Sequence, residues 1–237
     1  MNTPLPILTY HRVHNDDDVT VPDDPGRVNL SEFTKQMQHL AECGRQAVTH
    51  SQIAAWLLED KAIPDNAVAI DFDDNRQNVF DNAWPIMHDL GFVGTVFTIT
   101  DLADKKPLPG MEMYLAMDWC TLNELCDVGW CIAPHTCTHT VLTQTDLDTA
   151  RQEMQQSCDR VREMTGIDSP YFAYPSGCWN QDLENIAKTI FKTARHWYPI
   201  QDVDVPPVTS DCDPYRLSGV NIALDMTFER FRGLVPD

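Results

Sequence analysis

The chain has 237 residues, 43% of them hydrophobic, and its 17 basic and 36 acidic side chains give a net charge of −19. That length and apolar content suit one domain over 1–237 with a substantial buried core. The acid excess argues against nucleic acid or anionic lipid as a partner, and no apolar run is long enough to span a membrane.

In chain order, "LTYHRV" at 8–13 reads as a first strand ending near His11. Residues 14–29 (HNDDDVTVPDDPGRVN) are rich in Asp and Pro and predict a surface loop. Asn29 and Ser31 offer caps for a helix whose apolar face is Leu30, Phe33, Met37 and Leu40, closed by Gly44. A second helix is expected over 50–59, and "AVAIDF" follows as a short β-type run. Residues 78–90 have helical spacing, with Pro85 starting or kinking the regular part. "FVGTVFTIT" predicts a strand, 121–128 a helix stopped by Gly129, and "WCIA" a further strand. Residues 146–165 place Leu147, Ala150, Met154, Cys158 and Val161 on one helical face, ended by Gly166. "PYFAY" is the next strand and 180–192 the next helix. Such alternation through short links means βαβ units: an α/β chain with a parallel sheet, open or closed into a barrel.

Two stretches carry candidate chemistry. If 67–72 is a strand, Asp73 and Asp74 fall at its C-terminal end, where parallel α/β folds place their reactive groups. Adjacent carboxylates there point in different directions, so one can bind a cation while the other stays free as a base. Asn75 follows where the chain must turn, and Asn tolerates the left-handed conformation. In "HTCTH", His135 and His139 are spaced to share one face of a helical turn and one metal ion, with Cys137 pointing away as packing. "FAYPSG" at 172–177 is a strand ending in a tight turn, whose N–H groups could receive a developing oxyanion. Pro175 in that turn and Trp179 just beyond it are the candidate substrate contacts, while Trp119, Trp130 and Trp197 read as core or rim packing. His11 alone reads as a structural histidine.

Paired aspartates after one strand, H-T-x-T-H after a later one and Y-P-x-G after a third resemble the NodB-homology polysaccharide deacetylases, carbohydrate esterase family 4. The likeness continues through "GTVFTIT", "MDWCTLNELCDVGWCIAPHTCTH" and "YFAYPSG" and covers about residues 5–235. It implies a distorted (β/α) barrel with 7–8 mostly parallel strands, and removal of acetyl groups from a glycan or amino sugar. It implies Asp73 as the catalytic base and Asp74, His135 and His139 as ligands of one divalent metal. It also implies the backbone N–H near Tyr174 as the oxyanion donor. Zinc is the default for such a ligand set, which also suits nickel, cobalt and iron.

The sequence departs from that pattern in three places. Asn75 stands where the family has Gly, Ala173 where an Arg often orients the base, and no His follows His196 to supply the acid near the C-terminus. "TYHRV" is similar to the N-terminal element of the circularly permuted poly-N-acetylglucosamine deacetylases, whose histidine supplies the acid. This makes His11 the candidate acid and His196 the reserve. Asp71, two residues before the base, is expected either to raise its pKa or to hydrogen-bond around it. Two alternatives accompany this reading: a hydrolase of small amides, sugar nucleotides or lipid-linked sugars, and a glycan-binding module without activity. Residues 1–10 lack the features of a leader, and the eight cysteines show no CxxC pair and read as reduced thiols. The cytoplasm is therefore the expected location, or export if a leader has been removed.

Overall fold

Seven consecutive residues, Ala67–Asp73, form a strand that is buried along its whole length. A strand covered on both faces calls for parallel neighbours and an outer layer of helices. The computed structural model, which describes residues 4–18, 26–111, 115–198, 205–206 and 208–235, shows both. The strands are β1 (Ile7–Tyr10), β2 (Arg12–His14), β3 (Arg27–Asn29), β4 (Gln46–Val48), β5 (Ala67–Asp73), β6 (Thr95–Thr98), β7 (Cys131–Pro134), β8 (Tyr171–Ala173), β9 (Thr193–Tyr198) and β10 (Leu217–Asn221). The α-helices are α1 (Leu30–Glu42), α2 (His50–Glu59), α3 (Trp84–Asp89), α4 (Thr100–Ala103), α5 (Trp119–Asp127), α6 (Leu147–Thr165), α7 (Gln181–Ile190) and α8 (Phe228–Leu234).

The main sheet runs β7-β6-β5-β1-β10-β9-β8, with β4 also on β5, and every pairing is parallel. Helices wrap this sheet, so the chain has the distorted (β/α) barrel expected from its sequence. The barrel is nearly closed: β7 and β8 lie at the two ends of the order, and the His135 ring spans the seam by hydrogen bonding the Ala173 carbonyl at 2.8 Å.

Alternation along the strands sorts the side chains. On the outer face, Leu8, Tyr10, Ile70, Phe72, Val96 and Ile132 pack against Phe33, Met37 and Leu40 of α1 and neighbouring helices. Phe172 and Tyr174 meet Met154 of α6 and Leu183 and Ala187 of α7 in a second cluster. The inner face is different. It holds small residues such as Ala133 and Ala173 together with Asp71, Asp73 and Arg195, all buried.

Local chemistry explains most helix starts. Asp118, Asp146, Asn180 and Thr227 each accept a backbone N–H at the first turn of α5, α6, α7 and α8. Thr49 and Gln52 form a capping box at α2. Asn29 occupies the N-cap position of α1, but its side chain accepts from Arg27 instead.

Several expectations need adjustment. The predicted 78–90 helix begins with a π turn, Val79–Ala83, and becomes regular only at α3, where Pro85 sits in the first turn. Proline has no N–H to give to the preceding turn, so the regular ladder starts with it. The described ends of the 14–29 loop contribute to a small parallel pair, β2 with β3, and 19–25 lie outside the described residues. The strand expected over 92–100 is confined to Thr95–Thr98.

One surface-facing cluster ties the end of the barrel together. Glu184 of α7 accepts from Arg216 at 2.7 Å, Lys188 at 2.6 Å and Gln181 at 3.2 Å. Burial works to raise its carboxyl, but these donors outweigh it and bring it down to about 2. A folded pKa below the unfolded one gives stability that is present above the unfolded value and lost as pH falls toward the folded value. Glu184→Gln should therefore destabilise the protein at neutral pH by about 1 kcal/mol, a value kept small because the partners are solvent-exposed. Paired thermal melts should show the difference from wild type shrinking between pH 5 and pH 2.

Candidate active site

The C-terminal ends of β5, β7 and β8 open on one mouth of the barrel, and the chemistry-bearing residues collect there. Asp73 is the last residue of β5. Asp74 and Asn75 follow it with φ of 72° and 40°, so the chain reverses through two left-handed residues. Asn at 75 works where glycine is the family habit because its side chain is fully used. Its amide donates to the Met117 carbonyl and accepts from the Ile99 N–H, both at 3.0 Å. The reversal turns the two carboxylates apart, as the sequence suggests.

Asp74 faces the two histidines. Its Oδ1 lies 3.1 Å from His139 Nε2 and 3.6 Å from His135 Nε2, and it accepts no hydrogen bond among the described residues. Its Oδ2 accepts from Arg76 at 2.9 Å. One ligand atom from each of Asp74, His135 and His139 fits within 4.8 Å of the others, the one such cluster among the described residues. His135 spends Nδ1 on the Ala173 carbonyl, which leaves the Nε2 lone pair directed at the cluster. Two imidazole nitrogens and one carboxylate oxygen, converging without hydrogen bonds to one another, fit a divalent cation with an open fourth position.

The electrostatics agree with that arrangement. Burial tends to raise the Asp74 carboxyl, but Arg76 and His139 hold it well below the usual range, so it is ionised. Burial and the neighbouring His139 lower His135 to about 3, keeping it neutral. His139 is pulled the other way: burial lowers it, but the nearby Asp74 carboxylate raises it overall.

The H-T-C-T-H stretch is not the helical turn its spacing suggests. His135 directly follows β7, and the segment then bends, with Thr136 at φ 66° and His139 at φ 61°. Left-handed non-glycine residues cost on the order of 1 kcal/mol each. The histidines meet because the loop curls back, not because they lie one helical turn apart. Cys137 is buried and free, in keeping with packing.

Asp73 points into the barrel, to a partner that the sequence reading does not supply. The Arg195 guanidinium on β9 bridges two carboxylates, through Nη2 to Asp73 Oδ1 and through Nε to Asp71 Oδ2 at 3.0 Å. All three side chains are completely buried. His50 Nε2 completes the line, 2.9 Å from Asp71 Oδ2. The arginine missing at Ala173 is thus provided by the adjacent strand. Gly219 makes room for it: a Cβ there would come within 2.5 Å of Thr9 Oγ1 and 3.3 Å of the Arg195 side chain. Asp73 keeps Oδ2 free of hydrogen bonds among the described residues, and burial raises its carboxyl against the pull of Arg195 and His11.

His11, just past β1, brings Nε2 to 4.0 Å from Asp73 Oδ2. Burial lowers its pKa, with Asp73 and Asp74 acting in the opposite sense. His196, the reserve acid, neighbours Arg195 in β9 and so points to the opposite face. It packs against Trp179 at 5.5 Å, and burial lowers it to about 4.

Two expected residues are not brought to the cluster. The Tyr174 N–H is donated to the Arg195 carbonyl at 2.9 Å, and its ring is buried on the outer face against Phe172. Trp179 packs against outward-facing His196 and beneath Arg216, with the guanidinium 5.0 Å from its ring. Trp197, on the Arg195 side of β9, is instead the tryptophan beside His11, with ring centroids 6.2 Å apart. Its i+2 spacing from Arg195 was the available signal, readable only once β9 is recognised as a strand. Pro175 is buried in the turn after β8.

A parallel barrel whose mouth gathers a carboxylate, two histidines and a separate buried aspartate is a NodB-type architecture. The polysaccharide deacetylase family model matches residues 60–192, more than half of the chain, and the protein belongs to that family. Bacillus subtilis YxkH, described as a candidate polysaccharide deacetylase, is 26% identical over 185 residues. That match covers 78% of this chain and 61% of the relative, so the chain spans less than two thirds of its length. The fold is shared with Streptococcus pyogenes deacetylase PplD, solved with acetate: TM-score 0.84, 22% identity, and complete coverage of both chains. It is also shared with IcaB from Ammonifex degensii: TM-score 0.80, 20% identity, covering 99% of this chain and 98% of that one.

Removing one partner of a buried ionic group strands the others. Arg195→Ala should lower unfolding free energy by about 3–5 kcal/mol, measured by urea titration. A loss below about 1 kcal/mol would mean the two aspartates do not depend on it for charge compensation.

Proposed function

We propose that the protein is a metal-dependent deacetylase that removes N-acetyl groups from a glycan or amino sugar. The carrying observation is the division of labour between adjacent carboxylates. Asp74 joins His135 and His139 in a cluster within 4.8 Å, while Asp73 is held apart by Arg195 with Oδ2 open toward His11.

Asp74, His135 and His139 would hold the cation. When bound, a divalent ion there supplies Lewis acidity to the acetyl carbonyl and acidifies a water molecule. Zinc is the first choice, and nickel, cobalt and iron suit the same donors.

The remaining steps belong to the chain. Asp73 Oδ2 takes a proton from the attacking water, and burial has already made this carboxylate more basic than usual. Arg195 fixes Oδ1, so the base presents a single oxygen. The water oxygen bonds to the acetyl carbon, and the carbonyl electrons move onto oxygen. Gly177 and Cys178 spend their N–H groups on the Tyr174 and Pro175 carbonyls, and Pro175 has none. We therefore assign the oxyanion contact to the Ser176 N–H, in place of the one at Tyr174. The proton captured by Asp73 passes to His11, whose Nε2 faces Oδ2 at 4.0 Å, and His11 delivers it to the leaving nitrogen as the C–N bond breaks, producing acetic acid and the free amine.

The test is acetate release, followed by NMR, from metal-loaded protein offered acetylated chitooligosaccharides, acetylated xylan and sugar nucleotides. Release from the chitooligosaccharides supports the reading. Release confined to sugar nucleotides would move the substrate to a small molecule. Tight oligosaccharide binding without release from any of them would make the protein a binding module.

Asp73→Asn should retain the metal by elemental analysis while acetate release falls at least a hundredfold. His11→Ala should lower kcat on the order of 10²-fold or more, and a rate near wild type would remove it as the acid. Asp74→Ala should lose metal and turnover together.

A further inference from the structure

The loop between the two candidate metal-binding histidines has no regular structure to shape it. It is nevertheless held on both sides of its backbone. On one side, the Thr100 and Asp101 N–H groups donate to the Thr136 and Cys137 carbonyls at 3.2 and 3.0 Å. On the other, Glu153 reaches over from α6. Its Oε2 accepts the Cys137 N–H at 2.8 Å and the Thr138 N–H at 3.1 Å, and its Oε1 accepts the Thr138 hydroxyl at 2.9 Å. The same hydroxyl lies 2.6 Å from Thr140 Oγ1, extending the hold past His139.

We propose that Glu153 is a positioning residue for the metal site, setting the 136–140 backbone so that His135 and His139 converge on Asp74. This rests on the proposed metal site and goes beyond it, because Glu153 lies outside the ligand cluster. Both of its oxygens are occupied by the loop, so it acts on the cation only through the histidines. Consecutive N–H groups around a left-handed residue form an anion-receiving concavity, and a carboxylate fills it well. Thr136 supplies that left-handed residue, and His139 is the second strained position that the clamp must sustain. Without the carboxylate, two N–H groups lose their shared acceptor and the loop relaxes toward ordinary backbone angles, moving His139 away from Asp74. His135 stays anchored by Ala173, so the predicted effect is a weakened site with one ligand misplaced.

The probe is Zn²⁺, titrated into metal-free protein against a chelator of known affinity, with thermal melts of each metal-free variant alongside. Glu153→Ala should bind Zn²⁺ roughly 10–100-fold more weakly than wild type, with a much smaller change in the metal-free melt. Thr138→Val keeps the Glu153 charge and removes one of its three bonds, so it should weaken binding severalfold in the same direction. Asp148→Asn, which removes an exposed charge from the same helix, should bind as wild type does. Cobalt-substituted Glu153→Ala should show an altered visible absorption band, reporting changed ligand geometry.

Zn²⁺ affinity within twofold of wild type in Glu153→Ala would overturn the proposal. So would an equal loss in Asp148→Asn, which would reduce the effect to net charge. Should Glu153→Ala fail to fold, unchanged affinity in Thr138→Val would overturn it. Failure of wild-type protein to bind Zn²⁺ at all would instead strike the metal-dependent reading beneath it.

Discussion

A guanidinium shared by two carboxylates at the centre of a barrel is the interaction around which this protein is arranged. Arg195 crosses from β9 to Asp71 and Asp73 on β5, and none of the three side chains reaches solvent. Desolvating such a group is costly unless every charge finds a partner in good geometry. The surroundings meet part of that demand: His50 reaches Asp71, Gly219 leaves the space that Arg195 needs, and the Phe97 ring lies 4.7 Å from the guanidinium. The barrel interior is thereby committed to holding one carboxylate, Asp73, in one orientation.

The same commitment separates two residues that are neighbours in the chain. Asp73 belongs to the barrel interior and its arginine, whereas Asp74 turns through a left-handed residue to Arg76 and the histidines. Each aspartate therefore has its own arginine and its own electrostatic regime. Burial prevails at Asp73, whereas at Asp74 Arg76 and His139 together outweigh it. Asn75 secures the division by knitting the turn to Ile99 and Met117.

Much of this is written locally in the chain. The apolar run before the aspartates, the helical spacing of 146–165 and the closing Gly166 need no tertiary knowledge, and β5 and α6 appear accordingly. The candidate ligands are legible because their residue types and order carry the chemistry. Arg195 is not legible in the same way. It lies 122 residues from Asp73, in a short strand whose facing is fixed only by its pairing with β8 and β10. The "ARHW" stretch presents Arg and Trp on one face and His on the other, so a reader without the register cannot tell which histidine or tryptophan faces the mouth. The loop of 135–139 misleads for a related reason. Its spacing fits a helical turn, but the acceptor that shapes it, Glu153, belongs to the following helix. Tyr174 and Trp179 follow the strand whose end lines the mouth, yet their side chains join the outer layer.

The seam of the barrel has a consequence of its own. β7 and β8 end the strand order, and where they meet, one bridge is the imidazole of His135, tied to the Ala173 carbonyl. A candidate ligand is at the same time a rivet between the first and last staves. Prying those staves apart would break that rivet and scatter the candidate ligands in the same motion, so closure of the cylinder and the arrangement at its mouth are linked.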